Sequence, residues 1–330
     1  MKTTRIGLLG CGRIQRKHFH AVTVHEGAEI AALCDIDASR IAWILDHEKA
    51  SDLEVARYTS EAEFFAHRPI DAVVISTPHA SHADQIIAAV DAGLDVLVEK
   101  PMVTNAADAE RVIERVEQTG RQVQIGYNAP FTPELQYVRD CIRDKTFGRL
   151  QMVSGYISQR WKNYVKGSWR EVKAISGGGF SYDSGAHPLN TLCWTIDAMP
   201  TEVFAQTDNR GAAVDVNMAL QARFDPDILV QLTLAGDCEH NIGSFMAFLF
   251  EDGGIEVDGW NGRWIRVFDK KGPIKYPPIP NSSSQPLDHF IDAIRGKVEP
   301  LTSPRNGLIQ ATLMDHVYRS AETGLPVKVG

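Results

Sequence analysis

Lys100 closes the apolar run of VLVEKP, and Asp183 and His187 stand four residues apart in SGGGFSYDSGAH. These side-chain types suit proton transfer. Ligands of open α/β sheets sit just beyond the carboxyl ends of buried parallel strands, so a lysine at such an end is a candidate catalytic residue. The plainer alternative is a solvated lysine that caps a strand before a turn. At i and i+4, Asp183 and His187 would share one helix face. The run Gly177, Gly178 and Gly179 ahead of them reads as a flexible turn. Transfer of a hydride from an alcohol needs a base for the hydroxyl proton, and histidine is the side chain whose ordinary pKa lies nearest neutrality. Here the alternative is an Asp183 helix cap with His187 packed in the core under Trp194.

A second group of residues points to a dinucleotide. Gly10 and Gly12 in GCGRIQ occupy the first two glycine positions of a GxGxxG loop, while Gln15 stands at the third. Gly10 permits the tight turn, Gly12 lets the backbone approach a pyrophosphate, and the following helix N-terminus favours its charge. Arg13 and Ile14, which open that helix, join the expected cofactor contacts. Asp35 ends the next apolar run, EIAALCD, where an acid about 20 residues beyond the loop binds ribose hydroxyls. A helix cap is the competing role, which Asp37 serves equally well. A carboxylate there accepts from a 2′-hydroxyl and repels a 2′-phosphate, so NAD is expected in preference to NADP. In VVISTPHASH, a strand ends at Ser76, and Thr77 and Pro78 bend so that His79 and His82 face the same crevice. Without a carboxylate or cysteine at helical spacing, this HxxH pair is not expected to hold a metal.

The elements that must position these residues are legible in the periodicity. Over residues 1–126 the strand-like runs RIGLLG, EIAALCD, VARY, DAVVIST, DVLVEK and QVQIG alternate with helical patterns, of which DQIIAAVDAG and AADAERVIERVEQTG end in glycine. Such alternation predicts a doubly wound parallel sheet of Rossmann type. After Gly126 one helix, PELQYVRDCIRDKTFG, precedes the strands LQMVSGYIS, TEVFAQT, MALQARF, ILVQLTLAG and SFMAFLFED. Residues 127–330 therefore read as a second domain, α/β with a large, mainly antiparallel open sheet. PIKYPPIPNSSSQP reads as a surface loop.

Composition narrows the class. The 330 residues are 44% hydrophobic and 23% charged with a net charge of -8, which supports two cores and argues against nucleic acid as a partner. The five cysteines, Cys11, Cys34, Cys141, Cys193 and Cys238, lack CxxC spacing and fit a reducing compartment, and no apolar run has the length of a membrane span. A cytoplasmic protein with no membrane partner is expected. The segment RWKNYVKGSWRE at 160–171 mixes Trp161, Tyr164 and Trp169 with Lys162, Lys166 and Arg170. Aromatic faces suit the C–H face of a sugar ring, and Lys162, Trp169, Arg170 and Asn190 are expected to line the substrate pocket beside Asp183 and His187. The alternative is a surface loop stapled to the sheet by its aromatics.

Taken together, GCGRI, TPHASH, EKP at 99–101, GYN at 126–128 and GGGFSYDSGAH at 177–187 resemble the glucose-fructose oxidoreductase, inositol dehydrogenase and MocA family, and the likeness runs to the closing AETGLPVKV. The resemblance implies an NAD- or NADP-dependent oxidoreductase of sugars or cyclitols whose open sheet makes subunit contacts, hence a homodimer or homotetramer. It implies Lys100, Asp183 and His187 as the catalytic set. Glu99 would hold the nicotinamide ribose, Asn128 would join the cofactor contacts, and Tyr127 those to substrate. The sequence departs from the family pattern at Gln15, His79, Ala129, Pro130 and Asn190. Two other classes share these features: a reductase or dehydrogenase of a non-sugar carbonyl or diol, and a non-catalytic NAD-binding sensor or regulator.

Overall fold

The computed structural model describes residues 3–67, 69–280 and 284–330. Residues 281–283 of the Pro/Ser-rich loop lie outside the described residues. The chain forms two compact units: Met1–Val103 with Ala107–Gly126 and Gln285–Pro304, and Thr104–Ala106 with Tyr127–Ser284 and Arg305–Gly330.

In the first unit, strands and helices alternate as β1 (Thr4–Leu9), α1 (Gln15–Val24), β2 (Ala28–Cys34), α2 (Ala38–His47), β3 (Ala56–Tyr58), α3 (Glu61–Ala66), β4 (Ala72–Ile75), α4 (His82–Asp91), β5 (Asp95–Val98), α5 (Ala106–Thr119) and β6 (Val123–Ile125). The strands lie parallel in the order β3-β2-β1-β4-β5-β6, the order of a dinucleotide-binding sheet. All four residues of β4 are buried, as a strand covered on both faces requires. Because β1, β4 and β5 are neighbours, the loops after Leu9, Ile75 and Val98 open on one edge of the sheet. That edge carries Gly10, Ser76 and Lys100.

The sequence reading puts all of 127–330 in the second domain, yet Gln285–Pro304 returns to the first unit. The reason is apolar burial. Leu287, Phe290 and Ile291 join Phe19, Val22 and Leu45 in one core cluster. Gln124 Nε2 donates to Pro286 O at 2.7 Å, and Thr302 Oγ1 donates to Ile125 O at 2.9 Å, which fastens both ends of the segment.

The second unit contains α6 (Pro133–Arg143), β7 (Leu150–Ser158), α7 (Trp161–Tyr164), α8 (Lys173–Ser176), α9 (Ala186–Ile196), β8 (Pro200–Asp208), β9 (Asn217–Phe224), β10 (Ile228–Ala235), β11 (Gly243–Phe250), β12 (Gly253–Val257), β13 (Ile265–Asp269) and β14 (Gly272–Ile274). After α10 (Pro286–Ile294) in the first unit, α11 (Pro304–Thr323) and β15 (Val327–Lys328) complete the second. Its nine-stranded sheet runs β14-β13-β12-β11-β7-β10-β9-β8-β15. Only β7 and β10 pair in parallel among the described strands; the other neighbours are antiparallel. Strict alternation along β9 and β10 sends one set of side chains into a core with Leu135, Leu189, Leu192, Leu313 and Val317 of the helices. The opposite face of the sheet leaves Tyr156 of β7, Leu229 of β10 and Leu249 of β11 exposed. Among the described residues no helix is long and apolar enough to cross a membrane.

Candidate active site

In the first unit the glycine loop has the backbone that its residue types demand. Gly10 has φ +85°, and a Cβ there would lie 2.8 Å from Ser76 O, so the β1 and β4 ends touch only because the side chain is absent. Around Gly12 nothing lies within 4 Å of a Cβ, which leaves its backbone open to a ligand. The amide between the two glycines is spoken for: Cys11 N–H donates to Asp35 Oδ2 at 2.7 Å, while Asp37 N–H donates to Asp35 Oδ1 at 3.0 Å. Asp35 is therefore fixed at the rim of the loop with acceptor capacity left on each oxygen. The helix cap is Asp37, whose Oδ1 accepts from Ser39 N–H. Gln15, in place of the third glycine, is wholly buried and its Nε2 reaches Val74 O at 3.4 Å. Arg13 is exposed and Ile14 precedes the first turn of α1. Burial, reinforced by the Asp35 charge, pushes the Cys11 thiol up to about 12, so it is no nucleophile.

The ends of β4 and β5 are knit together. Ser76 is buried, and its Oγ has no hydrogen-bond partner among the described residues. Thr77 Oγ1 donates to Gln85 Oε1, and Gln85 Nε2 to Glu61 Oε1 at 2.6 Å. His82 is expected at the cofactor, but both of its ring nitrogens face main-chain carbonyls instead, Pro101 O at 2.8 Å and Thr77 O at 3.0 Å. This wholly buried ring clips the two strand ends together, and burial lowers its pKa. His79, also buried, lies with its ring 6.0 Å from that of His82. Among the described residues no group of three or more His, Cys, Asp or Glu side chains is arranged to hold a metal ion. Glu99 Oε1 meets His18 Nε2 at 2.9 Å, and Glu99 Oε2 accepts the Lys100 N–H at 3.2 Å. Burial pushes the Glu99 carboxyl up, but the hydrogen bond and charge of His18 with the charge of Lys100 outweigh it and hold the group at about 2. The His18–Glu99 pair was invisible in the sequence because it joins α1 to the end of β5.

In the second unit the structure brings Asp183, Arg170 and Trp161 together. Asp183 Oδ2 accepts the Trp161 indole N–H at 2.8 Å and the Arg170 Nε–H at 3.0 Å. Arg170 also lies over the Trp169 ring, 4.4 Å from its centroid. Asp183 does not share a helix with His187 as expected: α9 begins at Ala186, and Asp183 sits in the preceding turn, its N–H bonded to Gly179 O at 3.1 Å. His187 stacks on Trp260, ring centroids 4.6 Å apart and planes 20° apart. Trp260 also walls an open cavity of about 420 Å³ with Gln159, Asn241, Ser244, Asn261 and Arg263. Asn190, one turn beyond His187, is wholly buried, and neither atom of its amide has a hydrogen-bond partner among the described residues.

Other expected substrate residues are placed differently. Lys162 Nζ donates to Arg210 O at 2.7 Å and pairs with Asp237 at 3.4 Å, so its charge is spent away from Asp183. Trp161, outside the expected set of pocket residues, is an indole donor to Asp183. Tyr127 is buried and donates its hydroxyl to Gln310, whose Nε2 reaches Ala186 O at 3.4 Å, which ties it to the start of α9. Asn128 precedes the single turn Ala129–Phe131, its carbonyl accepting from Phe131 N–H at 3.0 Å. The glycine run is crowded and not loose: a Cβ on Gly178 would lie 1.9 Å from the Tyr318 hydroxyl oxygen.

Residues 4–127 match the model of an oxidoreductase family with an NAD-binding Rossmann fold, and residues 135–264 match the C-terminal domain of the same family, Gfo/Idh/MocA. The chain belongs to the Gfo/Idh/MocA oxidoreductase family. Among similar proteins, the rhizopine catabolism protein MocA of Rhizobium meliloti is 28% identical over 306 residues, which cover 90% of this chain and 88% of that protein. The 4-carboxy-2-hydroxymuconate-6-semialdehyde dehydrogenase of a Sphingobium species is 26% identical over 311 residues, 91% of this chain and 93% of that one. The WlbA dehydrogenase of Bordetella pertussis, solved with NADH and UDP-GlcNAcA, matches with a TM-score of 0.87 at 26% identity over 100% of this chain and 99% of that one. As a Gfo/Idh/MocA protein the chain is an oxidoreductase with an NAD-binding Rossmann domain.

Proposed function

We propose that this Gfo/Idh/MocA protein moves a hydride between NAD and a secondary alcohol of a pyranose or cyclitol. The observation that carries the substrate class is the aromatic and polar lining around Trp260, where Gln159, Asn241, Ser244, Asn261 and Arg263 offer hydrogen-bonding groups to the hydroxyls of a ring. The His187–Trp260 stack beside the cavity offers an aromatic face of the kind that covers a sugar ring. That a relative of 26% identity is named a semialdehyde dehydrogenase keeps a non-sugar carbonyl or diol as the second reading.

The residues present fit the cofactor. Gly10 and Gly12 give the pyrophosphate its approach to the start of α1, Asp35 would accept from the adenosine ribose hydroxyls, and the orphaned Ser76 Oγ is a donor and acceptor at the same sheet edge. The carboxylate of Asp35 favours NAD over NADP by repelling a 2′-phosphate. Glu99, kept ionised by His18, would hold the nicotinamide ribose. When bound, the nicotinamide supplies the hydride acceptor or donor. Lys100 donates a hydrogen bond to the reacting oxygen and stabilises its developing charge. His187 takes the hydroxyl proton in the oxidative direction, and Asp183, held by Trp161 and Arg170, orients the substrate.

The open face of the nine-stranded sheet supports assembly with a second copy. Tyr156 stacks on Phe245 at 5.8 Å and Phe245 on Trp264 at 6.1 Å, and further along the same face, beyond the Ser154–Gln231 hydrogen bond, Leu229 and Leu249 are exposed on either side of Met152, two apolar groups of the kind that mark an interface. The same reading puts the protein in the cytoplasm, where thiols such as Cys11 and Cys34 stay reduced. Incubation with NAD and a panel of pyranoses, cyclitols and simple diols tests the substrate class. Hydroxylated rings should be turned over, and analogues lacking one hydroxyl should be rejected strongly. Equal activity on simple aliphatic alcohols would contradict it.

A further inference from the structure

The turn that carries Asp183 hangs from a buried acid that no sequence motif marked. Asp215, only 5% exposed, lies just ahead of β9. Its Oδ1 accepts the Gly179 N–H and the Tyr318 hydroxyl, each at 2.7 Å, and its Oδ2 accepts the Ser181 N–H at 3.0 Å. Its main-chain carbonyl accepts the Phe180 N–H at 2.8 Å. The next N–H groups close on this platform: Tyr182 and Asp183 return to Gly179 O, and Gly185 returns to Phe180 O. The carboxylate thus caps, from a distant part of the chain, a turn whose own residues offer no capping side chain at that end.

Sterics make the arrangement specific. A Cβ on Gly179 would lie 1.8 Å from Asp215 O, and one on Gly178 would strike the Tyr318 hydroxyl, so the glycines are required by this contact. Tyr318 is held in turn by stacking on Tyr182, ring centroids 6.0 Å apart and planes 12° apart. Burial, and after it the charge of Asp215, keep its hydroxyl protonated far above the ordinary tyrosine value, so it remains a donor. A buried carboxylate is costly to desolvate, and here its donors aim the backbone immediately before Asp183.

We propose that Asp215, assisted by Tyr318, is a positioning residue of the reaction: it sets the turn that aims the Asp183 carboxylate. This rests on the reading that Asp183 serves turnover. The test uses the full chain carrying Asp215→Asn, Tyr318→Phe and Asp183→Asn, singly and with Asp183→Asn combined with each of the other two. Amide exchange in the unliganded protein comes first. In Asp215→Asn the amides of 179–185 should exchange about tenfold faster or more, in Tyr318→Phe by a smaller factor, while the amides of the parallel sheet stay unchanged. Turnover follows, with NAD and the pyranose or cyclitol that the wild type oxidises fastest. Asp215→Asn should lower kcat by about tenfold and Tyr318→Phe by about threefold at an unchanged KM for NAD, and both effects should vanish in the Asp183→Asn background. Unchanged exchange in both variants overturns the inference, as does an equal fall in kcat with and without the Asp183 substitution. Should Asp215→Asn fail to fold, Tyr318→Phe, which keeps the stacked ring, decides alone. Wild-type turnover by Asp183→Asn overturns the catalytic reading of Asp183 and this role with it, whereas an impaired Asp183→Asn beside a normal Asp215→Asn overturns this inference only.

Discussion

Replacing Asp35 by alanine separates cofactor binding from chemistry. The substitution removes the acceptor assigned to the adenosine ribose and, with it, the partner of the Cys11 N–H at 2.7 Å. A hydrogen bond to a charged group contributes about 1.5–3 kcal/mol, and about 1.4 kcal/mol is tenfold in affinity, so KM for NAD should rise by roughly 10- to 150-fold. Because the interaction is made equally in the ground and transition states, kcat at saturating NAD should stay within about threefold of the wild type. The carboxylate no longer repels a 2′-phosphate, so the ratio of kcat/KM for NAD over NADP should shrink. The buried Cys11 amide, left without its acceptor, should also cost about 1–3 kcal/mol of stability, visible as a lower Tm. Initial rates at varied NAD and NADP, together with a thermal melt, measure all of this. A KM for NAD within about threefold of the wild type, or a wild-type chain that turns NADP over as fast as NAD, would refute the assignment.

Other outcomes follow from the same geometry. Lys100→Ala and His187→Ala should each lower kcat by about 10²-fold or more while NAD still binds, as titrated by quenching of tryptophan fluorescence; near-normal turnover in both removes the catalytic assignment. Glu99 is held at about 2 against an ordinary 4.5, so its contribution to stability is complete above about pH 4.5 and is lost as the pH falls from there through 2. The difference in Tm between wild type and Glu99→Gln should therefore narrow across that interval, and a constant difference contradicts the His18–Glu99 pairing. Leu229→Asp on the open sheet face should convert an oligomer to a smaller species by light scattering at unchanged Tm of the monomer, and a wild type that is monomeric at high concentration sinks the proposed interface.

The parallel sheet was legible because its signals are local. Each strand is a short apolar run, each crossover helix has a clear period, and Gly93 and Gly120 follow α4 and α5 with φ of +80° and +64°. Helix α11 was not read, since Asn306, Gln310, Thr312 and Ser320 are buried on it and blur the apolar pattern. The return of α10 to the first unit is likewise a packing decision, made by Leu287, Phe290 and Ile291 against residues far away in the chain. At the candidate site, residue type marked Gly10, Asp35, Asp183 and His187, but their partners come from loops that no spacing connects: His18 to Glu99, Trp161 to Asp183, Trp260 to His187. Lys162 stands out by composition, which carries no information on direction, and the structure turns it towards Asp237. The glycine run looked flexible because glycine is permissive, whereas here its lack of a side chain serves close packing against Asp215 and Tyr318.

The most direct measurement of the central claim is the appearance of reduced nicotinamide when the purified protein meets NAD and a panel of pyranoses and cyclitols, run beside Lys100→Ala. The account predicts turnover of at least one hydroxylated ring by the wild type and a loss of about 10²-fold in the variant. Tight NAD binding with no reduction by any ring in the panel, or turnover that survives Lys100→Ala unchanged, would contradict it.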